Sequence, residues 1–138
     1  MASLIYTSAL DDALRANINY ATDTFKCLLV TSAYTENKDT HTKRSNITNE
    51  VVGAGYTAGG TVATVTVTKD TANDRIDVSL GAVSWPNATI TVRKAVYYKS
   101  RGGAASADEL VAVIDFASDV VSTNGTWSLT SSILRIQN

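Results

Sequence analysis

Gly55-Tyr56-Thr57-Ala58-Gly59-Gly60 runs directly into Thr61-Val62-Ala63-Thr64-Val65-Thr66-Val67-Thr68. Successive side chains of a strand point to opposite faces of the sheet, so alternating Val and Thr read as a half-buried β-strand. The glycines ahead of it allow tight turns. They do not make a phosphate loop, because no Lys-Ser/Thr follows and a strand, not a helix, comes next. Downstream, Lys69-Asp70-Thr71-Ala72-Asn73-Asp74 reads as a turn, and Arg75-Ile76-Asp77-Val78-Ser79-Leu80 alternates again, completing a β-hairpin.

Outward from this hairpin the same period recurs. Thr24 to Thr31 is expected as a strand covered on both sides, with Phe25, Cys27 and Leu29 on one face and Leu28 and Val30 on the other. After Gly81, Val83 and Trp85 form a short apolar pair, and Pro86 marks an edge or a strand boundary. Ala88 to Ser100 is expected as the longest strand. Ile90, Val92, Lys94 and Val96 would share one face, and Thr91, Arg93, Ala95 and Tyr97 the other. A further strand places Leu110, Ala112, Ile114 and Phe116 opposite Val111, Val113 and Asp115. Ser122-Thr123-Asn124-Gly125 reads as a turn before a last strand from Trp127 to Ile136.

One helix is expected near the start. Ser8 and Asp11 suggest a capping box, and Leu10, Leu14 and Ile18 recur at four-residue spacing as a stripe that must dock on something, the sheet being the obvious partner. The polar run from Ala33 to Asn49 has few apolar anchors, and such a loop is usually functional or mobile. A short helical turn around residues 41–46 fits its composition. The expected fold is therefore mainly β: an antiparallel β-sandwich or curled barrel of about six strands with one N-terminal amphipathic helix, in a single domain over residues 1–138.

The composition narrows the function. With 44% hydrophobic and 18% charged residues, the 138-residue chain is not of disordered composition. Twelve basic and thirteen acidic residues leave a net charge of −1, which gives no drive toward nucleic acid or an anionic membrane. Lys43-Arg44, and Arg93 beside Tyr97 and Tyr98, are the small basic exceptions. Neither a leader segment nor a membrane span is read in the sequence. The lone Cys27 lies in an apolar stretch, reads as a buried small hydrophobe and suits a reducing compartment. The lone His41 lacks companions for metal binding or nucleophilic catalysis and reads as a solvated loop residue. The carboxylates are dispersed, and Asp115 is expected to face solvent or a partner. No catalytic residue, cofactor or metal is expected.

Several stretches together resemble a family of small tailed-phage virion proteins. The chain has Asp23-Thr24-Phe25-Lys26-Cys27-Leu28-Leu29-Val30, similar to that family's D-T-x-K-x-x-L-V. It continues with Tyr34-Thr35, Asp39-Thr40-His41 and the Gly55–Gly60 element. Val83-Ser84-Trp85, Thr89 to Lys99, Leu110 to Phe116 and Ser122 to Trp127 follow in order. Lys94 departs from the pattern, which has an aromatic or small apolar residue there. The resemblance implies a virion structural protein rather than an enzyme, assembled in the host cytoplasm. The leading expectation is a capsid decoration, or cement, protein on the outer surface of the head. Its partners would be the major capsid protein or other virion proteins, and copies of itself. A neck, tail or fibre-associated protein is the alternative, as is a glycan-binding adhesion module using Trp85, Tyr56 or Trp127, although both Trp residues read better as core. Partner contacts are expected from the N-terminal arm with Leu4, Ile5 and Tyr6, from the polar loop with Tyr34, His41, Lys43 and Arg44, and from Tyr56.

Overall fold

The structure, a computed structural model, describes residues 3–138. It is mainly β and forms two antiparallel sheets. Strands β1 (Ser3–Ile5), β2 (Phe25–Val30), β3 (Thr61–Ala63), β6 (Val83–Lys99) and β7 (Leu110–Leu129) make a five-stranded sheet in the order β1-β7-β6-β2-β3. Strands β4 (Val65–Asp70), β5 (Arg75–Leu80) and β8 (Ser132–Gln137) make a three-stranded sheet in the order β4-β5-β8. The barrel is not closed; the arrangement is the open sandwich of the two expected forms, with eight strands rather than six.

The five-stranded sheet is buried on both faces, as the two-sided apolar pattern of β2 requires. On one face Phe25, Cys27, Leu29, Ala95 and Tyr97 pack with Val78 and Leu80 of the small sheet and with the paired indoles of Trp85 and Trp127. On the other, Leu28, Val30, Val96, Tyr98 and Val113 pack with Tyr6 and Ala9 from the chain start and with Tyr34.

The opening stretch belongs to both sheets. Thr61 to Ala63 pairs with β2, whereas Val65 to Asp70 pairs with β5, so the chain changes sheets at Thr64. The corner is held by the Gly81 N–H, which donates to the Thr64 carbonyl at 2.8 Å. A Cβ on Gly81 would collide with that same oxygen. Gly60, at φ +76°, lies so close to the Cys27 carbonyl that no side chain fits. The hairpin is real, but β4 is an edge strand exposed along most of its length, not half-buried.

Strands β6 and β7 form one long hairpin interrupted by bulges. Pro86 does not end a strand: it sits within β6, where the register slips between Trp85 and Ala88, and a missing N–H is tolerated there. After another slip between Ala88 and Ile90, the slip between Val92 and Lys94 sets one residue of β6 against the segment from Phe116 to Asp119 on β7. It inverts the faces, so Ile90 and Val92 lie in the same core as Ala95 and Tyr97, not with Val96. The last slip, between Tyr97 and Tyr98, leaves Val111 extra and puts Leu110 with Val113, not with Ala112. Asn124 has φ +48° but bulges β7 instead of ending it; the final strand starts only at Ser132.

Helix α1 covers Thr7–Leu14. Its cap position is Tyr6, no side chain caps it, and the Ser8 hydroxyl is buried without a hydrogen-bond partner. The expected capping box is therefore absent. The expected stripe also faces elsewhere: Ala9 is the buried position, Leu10 and Leu14 are exposed, and Ile18 is buried beyond the helix end. A 3₁₀ turn at Arg44–Asn46 matches the short turn expected there.

Candidate interaction surface

The residues expected to touch partners mostly hold the chain together. Met1 and Ala2 of the expected arm lie outside the described residues. Leu4 and Ile5 are half-buried in β1, paired with Val113 and Ala112. Tyr6 and Tyr34 are fully buried, so neither reaches a partner. Their hydroxyls meet at 2.7 Å, and the Tyr34 hydroxyl meets His41 Nδ1 at 2.9 Å. The Asn37 N–H also donates to that nitrogen, at 3.4 Å. Nδ1 is thus an acceptor, and the chain of donors runs from Tyr6 through Tyr34 to His41. His41 is half-buried and anchored, not a freely solvated residue. Burial, and then the Tyr34 hydroxyl, drive the Tyr6 phenol well above its usual range.

The basic pair is neutralised within the fold. Arg44 Nε donates to Asp108 Oδ2 at 2.8 Å, with its guanidinium 5.2 Å from the Tyr98 ring centroid. Lys43 Nζ lies 3.5 Å from Glu109, which Arg101 also grips through Nε and Nη2. Asp108 is 1% exposed and Glu109 3%. Burial alone would raise the Glu109 carboxyl, but Arg101 and Lys43 outweigh it and hold the group below its ordinary value. Tyr97 and Tyr98, beside Arg93, are buried and donate to the Gly81 and Gly59 carbonyls, so no basic aromatic patch forms.

Through these anchors the 33–49 loop is tied down. Thr7 donates to it twice, through its N–H to the Lys38 carbonyl and its hydroxyl to Asp39. Lys94, the departure from the resembled pattern, pairs with Glu36 and donates to the Tyr34 carbonyl at 3.0 Å. A small residue at 94 would leave Glu36 without this partner.

Tyr56 is half-buried; it donates to Glu50 at 2.6 Å and accepts from the Leu29 N–H at 3.0 Å. Trp85 and Trp127 are buried and cross edge to face at 5.6 Å, with Tyr56 tilted against Trp85. The three rings form an internal cluster and give no open platform for a sugar. Cys27 is buried as expected, and burial pushes its thiol up. Asp115 is half-buried, and its carboxylate accepts from the Ala117 N–H at the β7 bulge.

What the surface does offer is aliphatic. Among the described residues nine large aliphatic side chains are exposed, from Leu10 and Leu14 on α1 to Ile133 and Ile136 on β8. Leu14 is 90% exposed and Ile136 64%. They flank a groove of about 340 Å³ between α1 and the inner face of the small sheet, floored by Tyr20, Val78 and Leu134. A second patch pairs Val52, 94% exposed, with Val121. Close packing of Gly53 and Gly55 against β6 fixes the loop that carries Val52. The β8 signal was present in Ile133-Leu134-Arg135-Ile136, which puts aliphatic residues on both faces, but alternation alone does not say which face is left bare.

Among the described residues no three His, Cys, Asp or Glu side chains converge as metal ligands would, and no helix is long and apolar enough to cross a membrane. The fold and surface define a two-sheet, mainly antiparallel β protein with one short helix. No protein-family profile, curated protein or solved structure matches the chain.

Proposed function

We propose that the chain is a structural protein of a tailed-phage particle that acts by binding other proteins, as a decoration protein on the outer surface of the head. The observation that carries a binding role is the split between its charges and its aliphatic groups. Its most buried carboxylates, Asp108 and Glu109, are gripped by Arg44, Arg101 and Lys43, while nine large aliphatic side chains sit on the surface. Clustered exposed apolar groups mark contact surfaces for other proteins. The phage assignment is supported by the resemblance of the ordered sequence elements, from Asp23–Val30 to Ser122–Trp127.

The test is quantitative mass spectrometry of purified particles. Copies in proportion to the shell subunits support decoration of the head. A single ring's worth of copies moves the chain to the neck or tail, and absence from the particle overturns the proposal.

A further inference from the structure

Tyr6, Tyr34 and His41 share one line of hydrogen bonds, and only His41 can end it. Tyr6 donates to Tyr34 at 2.7 Å, and Tyr34 donates to His41 Nδ1 at 2.9 Å. The Asn37 N–H approaches the same nitrogen at 3.4 Å. Both phenols are fully buried, and among the described residues the Tyr6 hydroxyl has no partner besides Tyr34. His41 is half-buried, so water reaches its ring. A neutral imidazole accepts at one nitrogen, whereas an imidazolium donates at both. A proton on Nδ1 therefore faces two donors. Tyr34 can turn to accept it, but its own proton must then go to Tyr6, and the Tyr6 proton is left without an acceptor. Whichever way the line is drawn, one buried phenol proton and the Asn37 N–H go unpaired, and a buried donor left unpaired is costly.

The charges around this line are already paired with one another. On the loop itself Asp39 pairs with Lys38. Glu36 pairs with Lys94 of β6, whose Nζ also lies 5.9 Å from the Tyr34 ring centroid. Helix α1 has no acidic residue in its first turn, and β2 and β7 present Leu28, Val30 and Val113 to this core. Asp108 and Glu109, ahead of β7, are held by Arg44, Lys43 and Arg101. No spare carboxylate among these groups offsets the lost acceptor.

We propose that His41 is a pH-sensitive latch. Neutral, it closes the segment 34–41 onto the start of the chain; protonated, it releases that segment. The release is confined, because Leu110 still donates to the Thr42 carbonyl at 3.2 Å just beyond His41. Within the segment, the bonds from Thr7 to the Lys38 carbonyl and to Asp39 are loosened with it, so the first turn of α1 is freed as well. Histidine changes charge between about pH 5 and 8. The carboxyl of Glu109 acts below its ordinary 4.5, so the two effects fall in separate ranges.

The latch stands on the geometry of this chain; absence of the chain from particles would leave it untouched. Amide hydrogen exchange of residues 35–41 in the full chain, corrected for the pH dependence of the intrinsic rate, reads the open fraction. That fraction should be roughly tenfold larger at about pH 5.5 than at about pH 7.5, with β6 unchanged. Nitrogen NMR of the His41 ring should show Nδ1 taking up its proton in step with the opening. His41→Asn keeps an acceptor oxygen near the place of Nδ1 and takes up no proton, so its segment should stay closed at both pH values. Glu36→Gln removes the nearest carboxylate and should leave the response in place. Protection that holds while His41 takes up its proton, or an imidazole that stays neutral throughout, would overturn the proposal in the unaltered chain. An equal response in His41→Asn, or its loss in Glu36→Gln, would overturn it as well.

Discussion

Burial decides what each ion pair is worth. Asp108 accepts from Arg44 Nε and from the Arg101 N–H, both at 2.8 Å, and is almost wholly buried. Asp108→Ala leaves a partly buried guanidinium and a backbone donor without partners, which costs about 3–5 kcal/mol. Asp11→Ala removes a pair whose side chains are 70% and 57% exposed, and should leave the urea midpoint unchanged. Equal losses in the two variants would refute this ranking. Glu109 adds a pH dependence. Its folded carboxyl lies below its ordinary 4.5, so the stability it contributes is present above that pH and drains away as pH falls through the folded value. Melting temperature should therefore drop with acidification below about 4.5. In Glu109→Gln, already less stable near neutrality, that part of the acid slope should be missing.

Whole elements depend on contacts that are remote in sequence. Gly81 is spent on the corner where the hairpin changes sheets, because its missing Cβ leaves room for the Thr64 carbonyl. Gly81→Ala should cost about 2–3 kcal/mol, read as a fall in chemical stability. A neutral effect would mean the corner relaxes freely. The N-terminal arm carries a similar expectation. Since β1 is paired with β7 and Tyr6 fills the second core, deleting residues 2–6 should unfold or severely destabilise the chain rather than trim a free arm. Removal of a buried aromatic alone costs about 3–5 kcal/mol. A truncated chain with unchanged melting would return the arm to the surface. These elements also show what was legible in the sequence. The two-sided burial of Phe25–Val30, the hairpin and the core placement of both Trp residues follow from periodicity and residue type. The sheet change at Thr64 and the face inversion at Arg93 do not, because a bulge adds a residue without altering composition. The helix stripe departs from expectation for a related reason: Leu10 and Leu14 share a face, but docking through Tyr6 turns Ala9 inward. Of the expected contact residues, Tyr6 and Tyr34 are buried in the core and Arg44 is half-buried against Asp108, so all three hold the fold together. Their partners, Asp108 above all, lie far away along the chain.

Across the whole molecule, the same economy appears in the tyrosines. All six, Tyr6, Tyr20, Tyr34, Tyr56, Tyr97 and Tyr98, are buried or half-buried, and they are distributed between the cores on the two faces of the large sheet. Their hydroxyls tie the sheets to loops: Tyr56 to Glu50, Tyr97 to Gly81, Tyr98 to Gly59, and Tyr6 and Tyr34 to the His41 loop. Burial raises every one of them above the ordinary 10, Tyr20 and Tyr98 to about 12 and the others upward as well. A folded pKa above the unfolded one gives stability that is complete below pH 10 and is lost as pH rises. Six such groups set a limit of about 8 kcal/mol per pH unit for that loss once the unfolded chain ionises fully. Alkaline unfolding should therefore be abrupt, with tyrosinate absorbance and loss of β circular dichroism rising together in one transition. Stepwise ionisation near pH 10 in a chain that keeps its β signal would show that these phenols face water, and would dissolve the link between the two cores and the loops they hold.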